Sequence, residues 1–199
     1  MVAFDVDGTL TTRDCVVPFL RRVAGTPRLL AGLSSHPIGV TRAVARRDRD
    51  TLKSFAANAA FSGRSLSRVT AEASDFAAAV VARRLRADTV QTLQAHQQAG
   101  DTVVLVSASF EIYLRPLGGL LGVDGVLGAR LAAEDDVLTG ALDGPNCRGP
   151  EKVRRLHDWL CRHVGGRDAV ELIAYGDSAG DRELLAAADT AHWVGSYRP

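Results

Sequence analysis

The chain has 199 residues, 46% hydrophobic and 24% charged, with a formal net charge of +1. That composition belongs to a folded globule and excludes a disordered tail or a bulk electrostatic nucleic-acid binder. Cys15, Cys147 and Cys161 are an odd, widely spaced set with no Cys-x-x-Cys or His-bracketed spacing, so neither a zinc site nor a disulfide framework is implied.

The first predicted element is a short apolar strand, Val2–Phe4. It runs into Asp5-Val6-Asp7-Gly8-Thr9, a pattern that arises by chance at roughly one position in 10⁵. Side chains alternate along a strand, so Asp5 and Asp7 share a face if the strand continues. Two like charges so close repel, which raises one pKa or calls for a cation. Hard carboxylate oxygens at a strand end suit Mg²⁺ with a phosphate. Gly8 permits a sharp turn or a close approach to a ligand. The bland alternative is a polar turn after an edge strand.

Residues 15–86 differ in texture: they are rich in Ala and Arg and lack strand-like runs. Helices are predicted over 16–23, 38–47, 51–61 and 66–86. Pro27 and Pro37 stand at helix starts, and Gly25 and Gly63 mark breaks. Arg42, Arg46, Arg47 and Arg49 cluster there; a solvated helix face is the first reading, and capture of an anionic substrate or membrane contact is the second. An amphipathic helix over 89–99 ends at Gly100. A strand over 103–106 ends in Ser107-Ala108-Ser109, and a helix over 110–118 and a short strand near 125–128 follow. Segments 127–131 and 137–142, around Glu134-Asp135-Asp136, read as a hairpin. Gly149-Pro150-Glu151-Lys152 opens a helix over 150–163. A strand over 170–175 ends in Gly176-Asp177-Ser178-Ala179-Gly180-Asp181, and a helix over 180–188, a strand over 191–194 and a short tail over 195–199 complete the chain. Alternating strands and helices predict an α/β fold with a mostly parallel, doubly wound sheet, interrupted by a helical insert. In such sheets ligands bind beyond the carboxyl ends of the strands, so Asp5, Asp7, Ser107, Asp177 and Asp181 are expected around one crevice, with Lys152 at a helix start. The five histidines have no metal-binding spacing, and the chain has no Walker A, Gly-x-Gly-x-x-Gly or Gly-x-Ser-x-Gly motif.

Residues 5–9, the serine of Val104-Leu105-Val106-Ser107-Ala108-Ser109, Lys152 and residues 176–181 resemble, in that order, the four motifs of the haloacid dehalogenase superfamily. The long insert and residues 138–156 look like its phosphoserine-phosphatase-like branch (subfamily IB). The resemblance implies a Rossmann-like core over 1–14 and 87–199, with a helical cap over 15–86. It implies a Mg²⁺-dependent phosphatase acting on a small phosphomonoester through an aspartyl-phosphate.

The residues support the same chemistry. A carboxylate attacks phosphorus only when the phosphoryl charge is neutralised, which Mg²⁺ and Lys152 can do. Asp5 is the expected nucleophile. Asp7 is placed to protonate the leaving oxygen and then to deprotonate the attacking water. Ser107 should bind a phosphate oxygen with nearby backbone N–H groups, that of Ala108 among them. Asp5, Asp7 and Asp177 are the expected metal residues, Asp7 through its backbone carbonyl as the resemblance implies. Asp181 could ligate directly, through water, or by orienting Lys152. Asp14 stands where the phosphoserine enzymes place an acidic residue against the substrate amine, but here it is Asp rather than Glu and equally a helix cap. No arginine matches their carboxylate-gripping one; Lys53 and Arg46 are only nearby, which speaks against serine phosphate as substrate. Alternative readings are a lipid-phosphate phosphatase, a phosphotransferase or mutase, and a non-enzymatic phosphate-binding protein. Asp5 falls too early for a signal peptide, and the longest apolar stretch, 16–33, is broken by Arg21, Arg22 and Arg28, so a cytoplasmic protein with reduced thiols is expected.

Overall fold

The structure, a computed structural model, describes residues 1–195; the tail beyond residue 195 lies outside them. Five parallel strands form the central sheet: β1 (Val2–Phe4), β3 (Val103–Phe110), β4 (Gly125–Ala129), β7 (Ile173–Gly176) and β8 (Thr190–Trp193), in the order β4-β3-β1-β7-β8. β1 lies at the centre, with Val2 opposite Val103 on one side and Ile173 on the other.

The strand residues divide between two cores as the period of two requires. Val2, Phe4, Val103 and Leu105 pack on one face with Tyr113, Leu114 and Leu117 of α6 (Glu111–Leu121). Ala3, Val104 and Val106 pack on the other with Leu156 and Leu160 of α7 (Pro150–His163) and Leu184 of α8 (Arg182–Ala186). Burial on both faces is why these strands read as unbroken apolar runs.

The insert carries α1 (Val16–Ser34), α2 (Pro37–Ala45), α3 (Arg49–Phe61), a two-residue strand β2 (Arg64–Ser65) and α4 (Leu66–Arg83); α5 (Ala87–Gln98) then leads back to the sheet. The predicted break at Gly25 is a kink: its φ of 74° is left-handed, and the helix resumes through Pro27. Phe19, Phe61 and Phe76 bind the insert to Phe110 and Tyr113 of the core.

Several boundaries differ from the sequence reading; β3, for one, runs past the predicted end at residue 106 to Phe110 and takes in Ser107 and Ser109. The first arm of the hairpin is β5 (Leu131–Glu134), because Leu127 is taken by β4 of the main sheet. β5 and β6 (Val137–Leu142) instead join β2 of the insert in a second, three-stranded sheet. The predicted strand over 170–175 begins only at Ile173, since Asp189 holds the Leu172 N–H from the side.

Candidate active site

The carboxyl ends of β1, β3 and β7 meet, and the four motifs meet with them. β1 ends at Phe4, so Asp5 and Asp7 leave the strand and take different surroundings rather than a shared strand face. Asp5 is buried and accepts from the Lys152 ammonium at 2.6 Å. Lys152 opens α7, is itself 1% exposed, and donates to Asp181 at 2.5 Å as well. Asp181 is thus placed to orient Lys152, and its second oxygen accepts from the Ser178 backbone and hydroxyl. Burial pushes Asp5 up to about 8; the Lys152 charge pulls the other way. In return the two carboxylates hold Lys152 well above the ordinary lysine value against its own desolvation.

Asp7 makes no such pair. Its Oδ1 accepts the Cys15 N–H at 2.8 Å, and its Oδ2 accepts from the Ser109 hydroxyl. Its pKa rises to about 6, chiefly through burial, and the added repulsion comes from Asp14. The sequence reading expected that rise from Asp5; with the two side chains diverging, burial leads instead, and the repulsion between them contributes to the rise of Asp5.

One carboxylate oxygen from each of Asp5, Asp177 and Asp181 lies within 4.8 Å of the others. Burial and the charge of Asp181 raise the Asp177 pKa. Three hard carboxylates around one ammonium leave excess negative charge in a buried place, and this donor set fits a small divalent cation. The Asp7 carboxylate, turned to Ser109, is not in that cluster.

One glycine lets the first and fourth motifs touch, and a second lets the fourth fold back on itself. A Cβ on Gly8, whose φ is +85°, would stand 2.1 Å from Asp177 Oδ2. A Cβ on Gly176 would stand 2.6 Å from that of Asp181. Thr9 then donates to Asp177 Oδ1 at 3.4 Å.

Ser107 is buried within β3, where its oxygen accepts the Ser109 N–H at 3.2 Å. The Ala108 carbonyl accepts from the Lys53 ammonium, which also donates to Asn146 Oδ1 at 2.7 Å and lies 4.5 Å from the centre of the Phe110 ring. Desolvation lowers the Lys53 pKa to about 8. Asn146 donates in turn to Asp50 at 2.6 Å, so one turn of α3 grips it at both ends. Arg46 is exposed. Asp14 accepts the Val17 N–H at 3.2 Å and therefore caps α1, the alternative the sequence left open. Ser109 and Asn146 were missed from sequence. Ser109 was findable, because residues two apart on a strand share a face and Ser107 was already marked.

A surface cleft of about 410 Å³ lies elsewhere, beside β4, and none of these residues lines it. Its Arg115, Arg154 and Arg155 are tied to Glu111 and Glu151.

A family model for haloacid dehalogenase-like hydrolases matches residues 2–186, and the chain belongs to that family. It is 38% identical over 190 residues to protein CicA of Caulobacter vibrioides, covering 95% of this chain and 83% of that one. It is 32% identical to a phosphoserine phosphatase of Halobacterium salinarum, covering 96% and 83%. Among solved structures, a Bordetella pertussis protein of unknown function superposes with a TM-score of 0.72 at 23% identity, covering 96% of this chain and 87% of that one; this likeness concerns the fold. No helix among the described residues is long and apolar enough to cross a membrane.

Proposed function

We propose that the chain is a Mg²⁺-dependent phosphatase that hydrolyses a small phosphomonoester through an aspartyl-phosphate on Asp5. The observation that carries this reading is the separation of two carboxylates: Asp5 against the Lys152 ammonium, Asp7 in a pocket of neutral donors. Environments that set two acids apart divide the work between them. The phosphatases among the relatives support the same reading.

Asp5 attacks phosphorus as the anion, the form that the Lys152 ammonium favours against burial, as the bond to the leaving oxygen breaks. Asp7, whose pKa near 6 leaves it partly protonated near neutrality, gives that oxygen its proton. Water then attacks the acyl phosphate, Asp7 takes up a proton from it, and inorganic phosphate leaves as Asp5 is freed. Lys152 balances the phosphoryl charge, and Ser107 with the Ala108 N–H holds its oxygens. Asp5, Asp177, Asp181 and the Asp7 carbonyl would hold the cation. Bound there, it would neutralise phosphoryl charge that the carboxylates otherwise repel.

Residues 15–86 are the cap in this reading; they exclude water and choose the leaving group. Lys53 is the cap cation that enters the crevice. Leu30, Ile38 and Val44 are exposed on the helices next to Arg42 and Arg46, which favours a lipid phosphate as the second reading.

Phosphate release from a panel of serine, sugar, glycerol, aryl and lipid phosphates tests the proposal. Phosphoserine is expected to rank low, because desolvating its carboxylate without an arginine partner costs several kcal/mol. If phosphoserine leads by more than about tenfold, roughly 1.4 kcal/mol, Lys53 is gripping that carboxylate. No release from any member refutes the phosphatase reading.

The metal makes a separate prediction. Activity should vanish in excess EDTA and return with Mg²⁺, with Ca²⁺ a poor substitute because it prefers more ligands and looser geometry. Asp177→Ala should shift the Mg²⁺ titration to concentrations at least about tenfold higher. An unchanged titration removes Asp177 from the metal site.

A further inference from the structure

Ser109 and Tyr113 form a buried chain that ends on Asp7. Tyr113, in the first turn of α6, donates its hydroxyl to Ser109 Oγ at 2.5 Å, and Ser109 donates to Asp7 Oδ2. The Cys15 N–H holds the other carboxylate oxygen. Both residues of the chain are 0% exposed. Every hydrogen points one way, from phenol to serine to carboxylate. The terminal torsion of an aspartate is broad and nearly two-fold, so an unrestrained carboxylate turns freely. Donors on its two oxygens remove that freedom.

The far end of the chain is held by the insert. The Tyr113 ring lies 4.8 Å from Phe19 of α1 and 5.3 Å from Phe76 of α4, centre to centre. Contacts made by two insert helices thus fix a tyrosine, which fixes a serine, which fixes Asp7.

We propose that Ser109 and Tyr113 are positioning residues: they aim the Asp7 carboxylate at the leaving oxygen and tie its aim to the packing of the cap on the core. This rests on the reading of Asp7 as acid and base. Proton transfer needs heavy atoms within about 2.6–3.2 Å, and misplacement by about 1 Å can cost 10²-fold.

The opposing interpretation is a pair of hydroxyls that merely satisfy one another in a core. The two differ in how they respond to the leaving group. An alkoxide needs a proton as it departs; 4-nitrophenolate does not. The experiment measures kcat/KM, which covers the steps up to leaving-group departure, for 4-nitrophenyl, phenyl and glycerol phosphates. It compares the wild type with Ser109→Ala and Tyr113→Phe, the latter keeping the ring between Phe19 and Phe76. Thermal unfolding confirms that each variant is folded. In Ser109→Ala the glycerol phosphate value should fall about 10- to 100-fold and the 4-nitrophenyl value less than about threefold. Tyr113→Phe should show the same pattern more weakly.

Equal losses on all three substrates, or no loss on any, overturn the proposal. If Ser109→Ala does not fold, Tyr113→Phe decides alone, and a wild-type dependence on the leaving group overturns it. A wild-type chain inactive on all three overturns the phosphatase reading itself, and the assignment with it.

Discussion

Asp5→Asn should reduce turnover to background while the protein stays folded. The amide has no anionic oxygen to attack phosphorus and cannot form the acyl phosphate. It is isosteric, and its oxygen still accepts from Lys152, so the bond seen at 2.6 Å has a replacement. The carboxylate it removes is one that burial pushes up to about 8, so at neutral pH its loss also relieves desolvation. The expected result is a melting temperature no lower than that of the wild type, with no phosphate release. Residual activity above a few per cent, once mass spectrometry has excluded deamidation back to Asp, would count against Asp5 as the nucleophile. Asp7→Asn should behave differently, slowing turnover by the roughly 10²–10⁴ of a general acid–base group.

Lys152→Met should be the most destabilising single change in the site. It leaves Asp5 and Asp181 buried beside one another without the ammonium that each contacts. Removing one partner of a buried ionic cluster costs about 3–5 kcal/mol, which for a chain of this length lowers the melting temperature by roughly 10 °C or more. The pH dependence has a definite sign. Lys152 is the main influence holding the Asp5 pKa down, so its loss raises that pKa further. A carboxylate whose folded pKa lies above its unfolded value stabilises the fold when protonated, and that stability is lost as pH rises through the folded value. The deficit of the variant should therefore be constant below about pH 8, where both folds hold the proton, and widen above it, where only the wild-type carboxylate has ionised. Divalent cation should recover part of it, by replacing the missing positive charge. A difference in melting temperature that does not widen above about pH 8 would contradict the buried cluster.

The two expectations use residues that sequence and structure supplied differently. Asp5-Val6-Asp7-Gly8-Thr9 was legible because a strand end, two carboxylates and a glycine rarely coincide, and because each neighbouring apolar run ended in another polar set. The two-sided burial of β1, β3 and β7 was legible for a similar reason: unbroken apolar runs have no polar face to expose. The end of β1 could not be read as closely. A strand that continued past Phe4 would have set Asp5 and Asp7 side by side. The observed strand stops there, and partners far away in the chain then separate the two acids. Lys152 meets Asp5 across 147 residues, and Ser109 meets Asp7 across 102.

The same distinction runs through the insert. Local sequence marked its helices, its breaks at Gly25 and Gly63 and its proline starts, because backbone freedom and a missing N–H act within one turn. It did not mark β2, two residues long, since a strand that short is defined only by the hairpin at 131–142 that pairs with it. Lys53 carries no local signal at all; Phe110, the Ala108 carbonyl and Asn146 make it a crevice residue. What the sequence by itself determined is the parallel α/β core, the helical insert and the set of groups that can carry out the chemistry, because periodicity and side-chain type are local properties. What only the tertiary structure decided is which acid faces the ammonium and which the hydroxyl chain, because burial and hydrogen-bond partners come from segments that the linear order keeps apart.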